Sequence, residues 1–276
     1  MRNLTLAPRT VPTNPVVIAL HSSAASGGQW TALRDELGNA FHLLTPDLHG
    51  HGNGPAWQGT PRDIVAADVA RAARIAEHAG GSVHLVGHSY GGLVALRVAH
   101  EHPRLVATVA VYEPVALRVL LDYNRRHQPA VEVAELARTL GREVGVGREE
   151  DAASRFVNYW SGSDQWARLD AEQRSAIAAR MRVVLAHFDS LAHDPMQREH
   201  FAELTMPVLY LTGRATRAST RRIAELITPS MPHVDSVRME AMGHLGPITH
   251  AVVVAKRLAE FVSAHATPQF DQRKAA

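Results

Sequence analysis

The chain has 276 residues, 46% hydrophobic and 20% charged, with a formal net charge of +2: the balance of a globular protein able to bury one large core, or a core with a sizeable insertion. Cysteine is absent, which excludes disulfides, thiolate nucleophiles and cysteine metal sites. The basic residues are scattered, Arg125-Arg126 and Arg221-Arg222 being the tight pairs, and no apolar run approaches membrane-spanning length; neither nucleic acid nor a membrane is an expected partner, and cytoplasmic residence is the default.

In chain order, residues 4–6 read as an edge strand, and Pro8, Pro12 and Pro15 mark loop. Val16-Val17-Ile18-Ala19-Leu20 is a continuous apolar run, as expected of a strand covered on both faces. It leads into the small-residue loop His21-Ser22-Ser23-Ala24-Ala25-Ser26-Gly27-Gly28 and a helix over 30–37. A strand over 41–45 ends in Asp47-Leu48-His49-Gly50-His51-Gly52, a glycine-rich turn that an aspartate can pin by accepting backbone N–H groups. That reading is preferred to a metal site built from the aspartate and two histidines. Ile64, Val65, Ala72 and Ile75 at helical spacing predict a helix over 61–78, with Thr60 as N-cap and Gly80-Gly81 as stop.

The most informative stretch covers 83–92, where an apolar strand ends in Gly87-His88-Ser89-Tyr90-Gly91 and a buried helix follows. Gly-x-Ser-x-Gly between strand and helix places a serine on a sharp, strained turn, with glycines where side chains would collide with neighbouring backbone. Residues 106–112 form another strand, ending at Glu113-Pro114. From 115 to 201 only helices are predicted, over 116–126, 130–144, 149–160 and 170–190. Strand–helix alternation then resumes: strand 208–212, helix 219–228, strand 233–239 and a closing helix 249–264, with a mobile tail from 268. The expected class is α/β, a mostly parallel sheet flanked by helices. Residues 1–114 and 202–276 form its core, and residues 115–201 form a helical cap over the strand ends where ligands bind.

A serine hydroxyl needs a base, normally an imidazole oriented by a carboxylate. Among 17 histidines, His244 stands out in the loop Met242-Gly243-His244-Leu245-Gly246-Pro247 after the last strand. His84 reads as packed or on a rim, and His187 as a helix-face or loop residue. The loop after strand 208–212 holds no carboxylate, and Thr216 stands where an aspartate is expected. Glu113 is the next acid in a suitable place, preserving the order nucleophile, acid, histidine; Asp189 and Asp194 are weaker candidates. Two N–H donors for an oxyanion are expected from Tyr90, which follows the nucleophile, and from Ser23, with Ser22 as its neighbouring alternative.

Together these residues resemble the α/β-hydrolase superfamily, specifically its lidded, esterase-like members, over about residues 16–261. The elbow matches Gly87–Gly91, the histidine motif Gly243-His244, and the family's Asp-Leu-x-Gly-x-Gly turn matches Asp47–Gly52. The oxyanion segment, usually His-Gly, is here His21-Ser22, and the usual late aspartate is missing. Some branches, among them certain dehalogenases and lipases, place the acid where Glu113 stands. Dehalogenase and epoxide-hydrolase branches use an aspartate nucleophile, which Ser89 argues against. The resemblance implies a cofactor-free serine hydrolase acting on a small-molecule ester through an acyl-enzyme on Ser89. The alternatives are a carbon–carbon hydrolase of ring-cleavage ketones and a non-catalytic ligand-binding member. Apolar and aromatic cap residues, including Phe156, Trp160 and Phe188, either line an acyl pocket or form the cap's own core. Nothing in the sequence constrains the oligomeric state.

Overall fold

Six parallel strands and the helices between them form the molecule's frame. The computed structural model describes residues 14–162 and 164–266. The expected edge strand at 4–6, Pro8, Pro12 and the tail from 268 lie outside the described residues. In chain order the elements are β1 (Val16–Leu20), α1 (Thr31–Leu37), β2 (His42–Leu44), α2 (Ile64–His78), β3 (Val83–His88), α3 (Tyr90–Glu101) and β4 (Val106–Tyr112). Helices α4 (Leu117–Tyr123), α5 (Gln128–Gly145), α6 (Glu149–Ser161), α7 (Ala171–Ala178) and α8 (Met181–Ala192) follow. The chain closes with β5 (Val208–Gly213), α9 (Ala218–Ile227), β6 (Val234–Met239), α10 (Gly246–Thr249) and α11 (Ala251–His265).

Sheet order is β2-β1-β3-β4-β5-β6. The central strands are largely apolar because helices cover both faces; the buried exceptions His84 and Thr108 pair with each other (2.9 Å). Val17, Ala19, Val86, Ala110, Tyr112, Leu209 and Leu211 bury against α1 and α11. Their alternates Ile18, Leu20, Leu85, Val111, Val208 and Tyr210 join the core on the other face, with α2 and α3. The edge strand β6 is different: Asp235, Ser236 and Arg238 are exposed, as an unpaired edge tolerates.

Between β4 and β5 the described residues form no strand. Local signals set these helices' ends. Three acids (Glu149, Glu150, Asp151) open α6 and Gly162 closes it in the left-handed conformation, while Asp170 and Gln173 form a reciprocal capping box on α7. The one helix expected over 170–190 is broken at Ala179-Arg180 into a polar α7 and an apolar α8. The physical reason is burial: α7 buries no residue, whereas α8 must turn inward to bury Met181, Val184, His187, Phe188 and Leu191. Ser190 fixes α8 to the sheet-packing layer, its hydroxyl donating to the Arg62 carbonyl (2.7 Å) and accepting from the Val65 N–H (3.3 Å). No described helix is long and apolar enough to cross a membrane.

Candidate active site

Ser89 sits between β3 and α3 with φ 55° and ψ −116°. A Cβ at Gly87 would lie 2.5 Å from the Gly91 carbonyl oxygen, and one at Gly91 would fall on the carbonyls of Leu20 and His21. Neither position admits a side chain. The turn is held by the Ser89 N–H donating to Tyr112 (3.0 Å) and by the Val115 N–H donating back to Ser89 (3.2 Å). Four described non-glycine residues have positive φ: Ala24, Ser89, Glu113 and Ala241. Two of them carry groups of this site, and the others lie beside its loops, so the strained backbone gathers where side chains are aimed.

His244 arrives on the loop after β6. Two neighbours fix that loop: Tyr112 donates its hydroxyl to the Gly243 carbonyl (2.8 Å), and His88 donates from Nε2 to the His244 carbonyl (2.8 Å). Complete burial, with His244 beside it, pushes the His88 pKa well below the usual histidine value. His88 is a neutral donor. The His244 ring lies under Trp160, centroids 4.3 Å apart.

The Ser89 hydroxyl donates to His244 Nε2 (2.9 Å), and His244 Nδ1–H donates to Glu113 Oε2 (2.8 Å). Glu113 is fully buried at the end of β4 with φ 44°. Its other partners are the Gly213 N–H on Oε1 (2.7 Å) and the Thr216 hydroxyl on Oε2 (2.6 Å). A buried carboxylate without partners would be costly; here each oxygen is satisfied by donors. Thr216 thus occupies the usual place of the acid but supports an acid reaching across from the adjacent strand. Asp194 instead pairs with Arg97 (3.0 Å), and Asp189 lies near Arg62 (3.7 Å) and His193 (3.2 Å).

The loop after β1 can be accounted for group by group. Ser22 donates its N–H and its hydroxyl to Gln29 Oε1 (3.2 and 2.9 Å). The Ala24 N–H donates to His51 Nε2 (3.0 Å), and Arg180 donates to the Ala24 carbonyl (2.7 Å). His21 Nε2 accepts from the Leu48 N–H (3.0 Å), its Nδ1–H donating to the Ser22 carbonyl (2.8 Å). The Ser23 N–H is left, with no hydrogen-bond acceptor among the described residues, as is the Tyr90 N–H at the start of α3. The serine at position 22 therefore replaces a glycine without loosening the loop.

His51, Gln29, Arg180 and His187 carry no sequence signal for these tasks. His187 is a correction to the helix-face reading: it is buried, stacked on Tyr90 (3.6 Å, 10°), and bonded through Nδ1 to the Ser23 hydroxyl (2.7 Å). The Tyr90 hydroxyl donates to Asp68 (2.7 Å), which also holds His49 through N–H (3.0 Å) and Nδ1 (2.7 Å). Asp47 accepts from the N–H groups of Gly27 (2.7 Å) and Asn53 (2.8 Å), pinning the turn that delivers His51. A cavity of about 20 Å3 lies against Ser89, bounded by Ser23, Tyr90, Phe156, Trp160 and His187 among others. It has room for roughly one water molecule.

A family model described as the alpha/beta hydrolase family matches residues 17–257. The chain belongs to the alpha/beta hydrolase family. Curated relatives include pimeloyl-[acyl-carrier protein] methyl ester esterases from Methylococcus capsulatus (26% identical over 255 residues, 90% of this chain and 95% of the relative) and Salmonella newport (26% over 249 residues, 88% and 91%). Among solved structures, a thermophilic esterase from Thermogutta terrifontis superposes with a TM-score of 0.70 at 22% identity, covering 93% of this chain and 92% of that one. An enol-lactonase from Burkholderia xenovorans gives 0.71 at 18%, covering 91% and 92%. At these identities the solved structures establish the shared alpha/beta hydrolase fold.

Proposed function

We propose that the protein hydrolyses a small-molecule carboxylic ester through an acyl-enzyme on Ser89, with no cofactor. The observation that carries this reading is the buried relay from the Ser89 hydroxyl through His244 to the Glu113 carboxylate, with both hydrogen bonds below 3 Å. The esterase names of the curated relatives point the same way. Ser89 Oγ attacks the ester carbonyl while its proton passes to His244 Nε2. Glu113 keeps the imidazole in the tautomer that can accept that proton and stabilises the imidazolium that results. The carbonyl oxygen, now an anion, lies against the N–H groups of Tyr90 and Ser23. His244 then gives its proton to the departing alkoxide as the carbon–oxygen bond breaks. A water molecule, deprotonated by His244, attacks the acyl-enzyme; the acid leaves and Ser89 recovers its proton.

Residues 115–201 act as the cap, in which Phe156 and Trp160 close the chamber over Ser89 and exclude water from the oxyanion. The test is a panel of p-nitrophenyl and methyl esters assayed beside ring-cleavage dienoate ketones, with wild type and Ser89→Ala. Ester turnover lost in Ser89→Ala supports the reading. Turnover of the ketones alone, or none in folded protein, overturns it.

A further inference from the structure

His187 is a polar group of this chamber that the steps above leave unused. Its side chain is buried, 1% exposed, and lines the cavity that also meets Ser89. Nδ1 is engaged by the Ser23 hydroxyl at 2.7 Å, and Nε2 has no hydrogen-bond partner among the described residues. The ring cannot swing to find one: Tyr90 stacks on one face at 3.6 Å and His51 lies at 5.2 Å, nearly parallel. A buried, immobile and unpaired imidazole nitrogen costs free energy unless something meets it. Burial, with His51 and His21 nearby, holds its pKa well below the usual histidine value, so the ring is neutral.

Position says what could meet it. His187 is bonded to Ser23 and stacked on Tyr90, the two residues whose N–H groups face the oxyanion in the proposed mechanism. It therefore lies on the acyl side, whereas Trp160 covers the imidazole that protonates the leaving group. His187 and Ser89 line the same small cavity, so a substrate group that meets one borders the other.

We infer that His187 Nε2 reads an oxygen on the carbon next to the scissile carbonyl, making 2-hydroxy and 2-oxo esters the preferred substrate class. This rests on the esterase reading and narrows it. If the Ser23 hydroxyl donates to Nδ1, Nε2 carries the proton and donates to either oxygen. If Nδ1–H donates to Ser23, Nε2 accepts from a 2-hydroxyl only. The inference thus also names the probe of the tautomer.

The experiment compares kcat/KM for methyl lactate, methyl pyruvate and methyl isobutyrate, the last replacing the hydroxyl by a methyl group. Wild type and His187→Phe, which keeps a ring to stack on Tyr90, are measured side by side, so that intrinsic ester reactivity cancels in the ratio. The lactate-to-isobutyrate ratio should fall about tenfold or more in His187→Phe. Pyruvate favoured with lactate marks Nε2–H, and lactate alone marks the lone pair. An unchanged ratio overturns the inference, as does turnover of p-nitrophenyl acetate with none of methyl lactate. Failure of every ester, with Ser89 unacylated, removes the esterase reading and this inference with it. Should His187→Phe not fold, calorimetry on Ser89→Ala must show tighter binding of methyl lactate than methyl isobutyrate, and equal affinities overturn the inference.

Discussion

Replacing Glu113 by glutamine changes one atom type and tests the whole relay. The carboxylate accepts from Gly213 N–H on one oxygen and from Thr216 and His244 on the other. The amide oxygen must take the Gly213 side, since an NH2 group there would face another donor. That leaves the NH2 group against His244 Nδ1, which then becomes an acceptor and moves the ring proton to Nε2. A protonated Nε2 cannot take the proton of Ser89. Loss of the correct tautomer costs about 10^4 in kcat, or about 5 kcal/mol of transition-state stabilisation. The assay is kcat/KM for a p-nitrophenyl ester, with circular dichroism as the check on folding, since volume and most packing are retained. A folded Glu113→Gln protein within threefold of wild type would refute the assignment, decisively so if Asp189→Asn or Asp194→Asn proved inactive instead.

Thr216→Val should keep the fold but lower kcat by roughly tenfold, because the carboxylate loses one of its donors; kcat/KM and the thermal midpoint together check this. Gly91→Ala places a methyl group on the carbonyls of Leu20 and His21 and should yield little folded protein, read as soluble yield and a lost cooperative transition. Burial, reinforced by His21, pushes the His51 pKa down to about 4, against 6.5 for the unperturbed residue, and its neutral Nε2 is what accepts the Ala24 N–H. The unfolded chain therefore binds more protons between those two values. The contribution is fully present above about pH 6.5 and is lost as the pH falls towards 4, at most about 3 kcal/mol. Urea midpoints from pH 7.5 down to 4.5 should decline, and less steeply in His51→Gln.

Much of this arrangement is readable before any coordinates. The central strands announce themselves because burial on both faces demands largely apolar runs such as 16–20 and 106–112. Ser89 follows from two glycines that no other residue could replace, and His244 from a loop after the last strand. Glu113 follows from exclusion, because the usual loop around Thr216 has no acid. What could not be read is the support. The contact between Ser23 and His187 spans 164 residues, and no periodicity in either helix or loop encodes it. Arg180 is likewise one more polar residue in the sequence, yet it sits where α7 gives way to α8 and bonds the strained Ala24. Which polar side chain finds which backbone group depends on how helices dock on the sheet, and hydropathy carries no record of that.

The most direct test is to quench the protein early in turnover of a p-nitrophenyl ester and map the acyl group by peptide mass spectrometry. The account predicts a transient adduct on Ser89, abolished in Ser89→Ala and formed far more slowly in His244→Ala. Full-rate hydrolysis with Ser89 unmodified, or undiminished in Ser89→Ala, would contradict it.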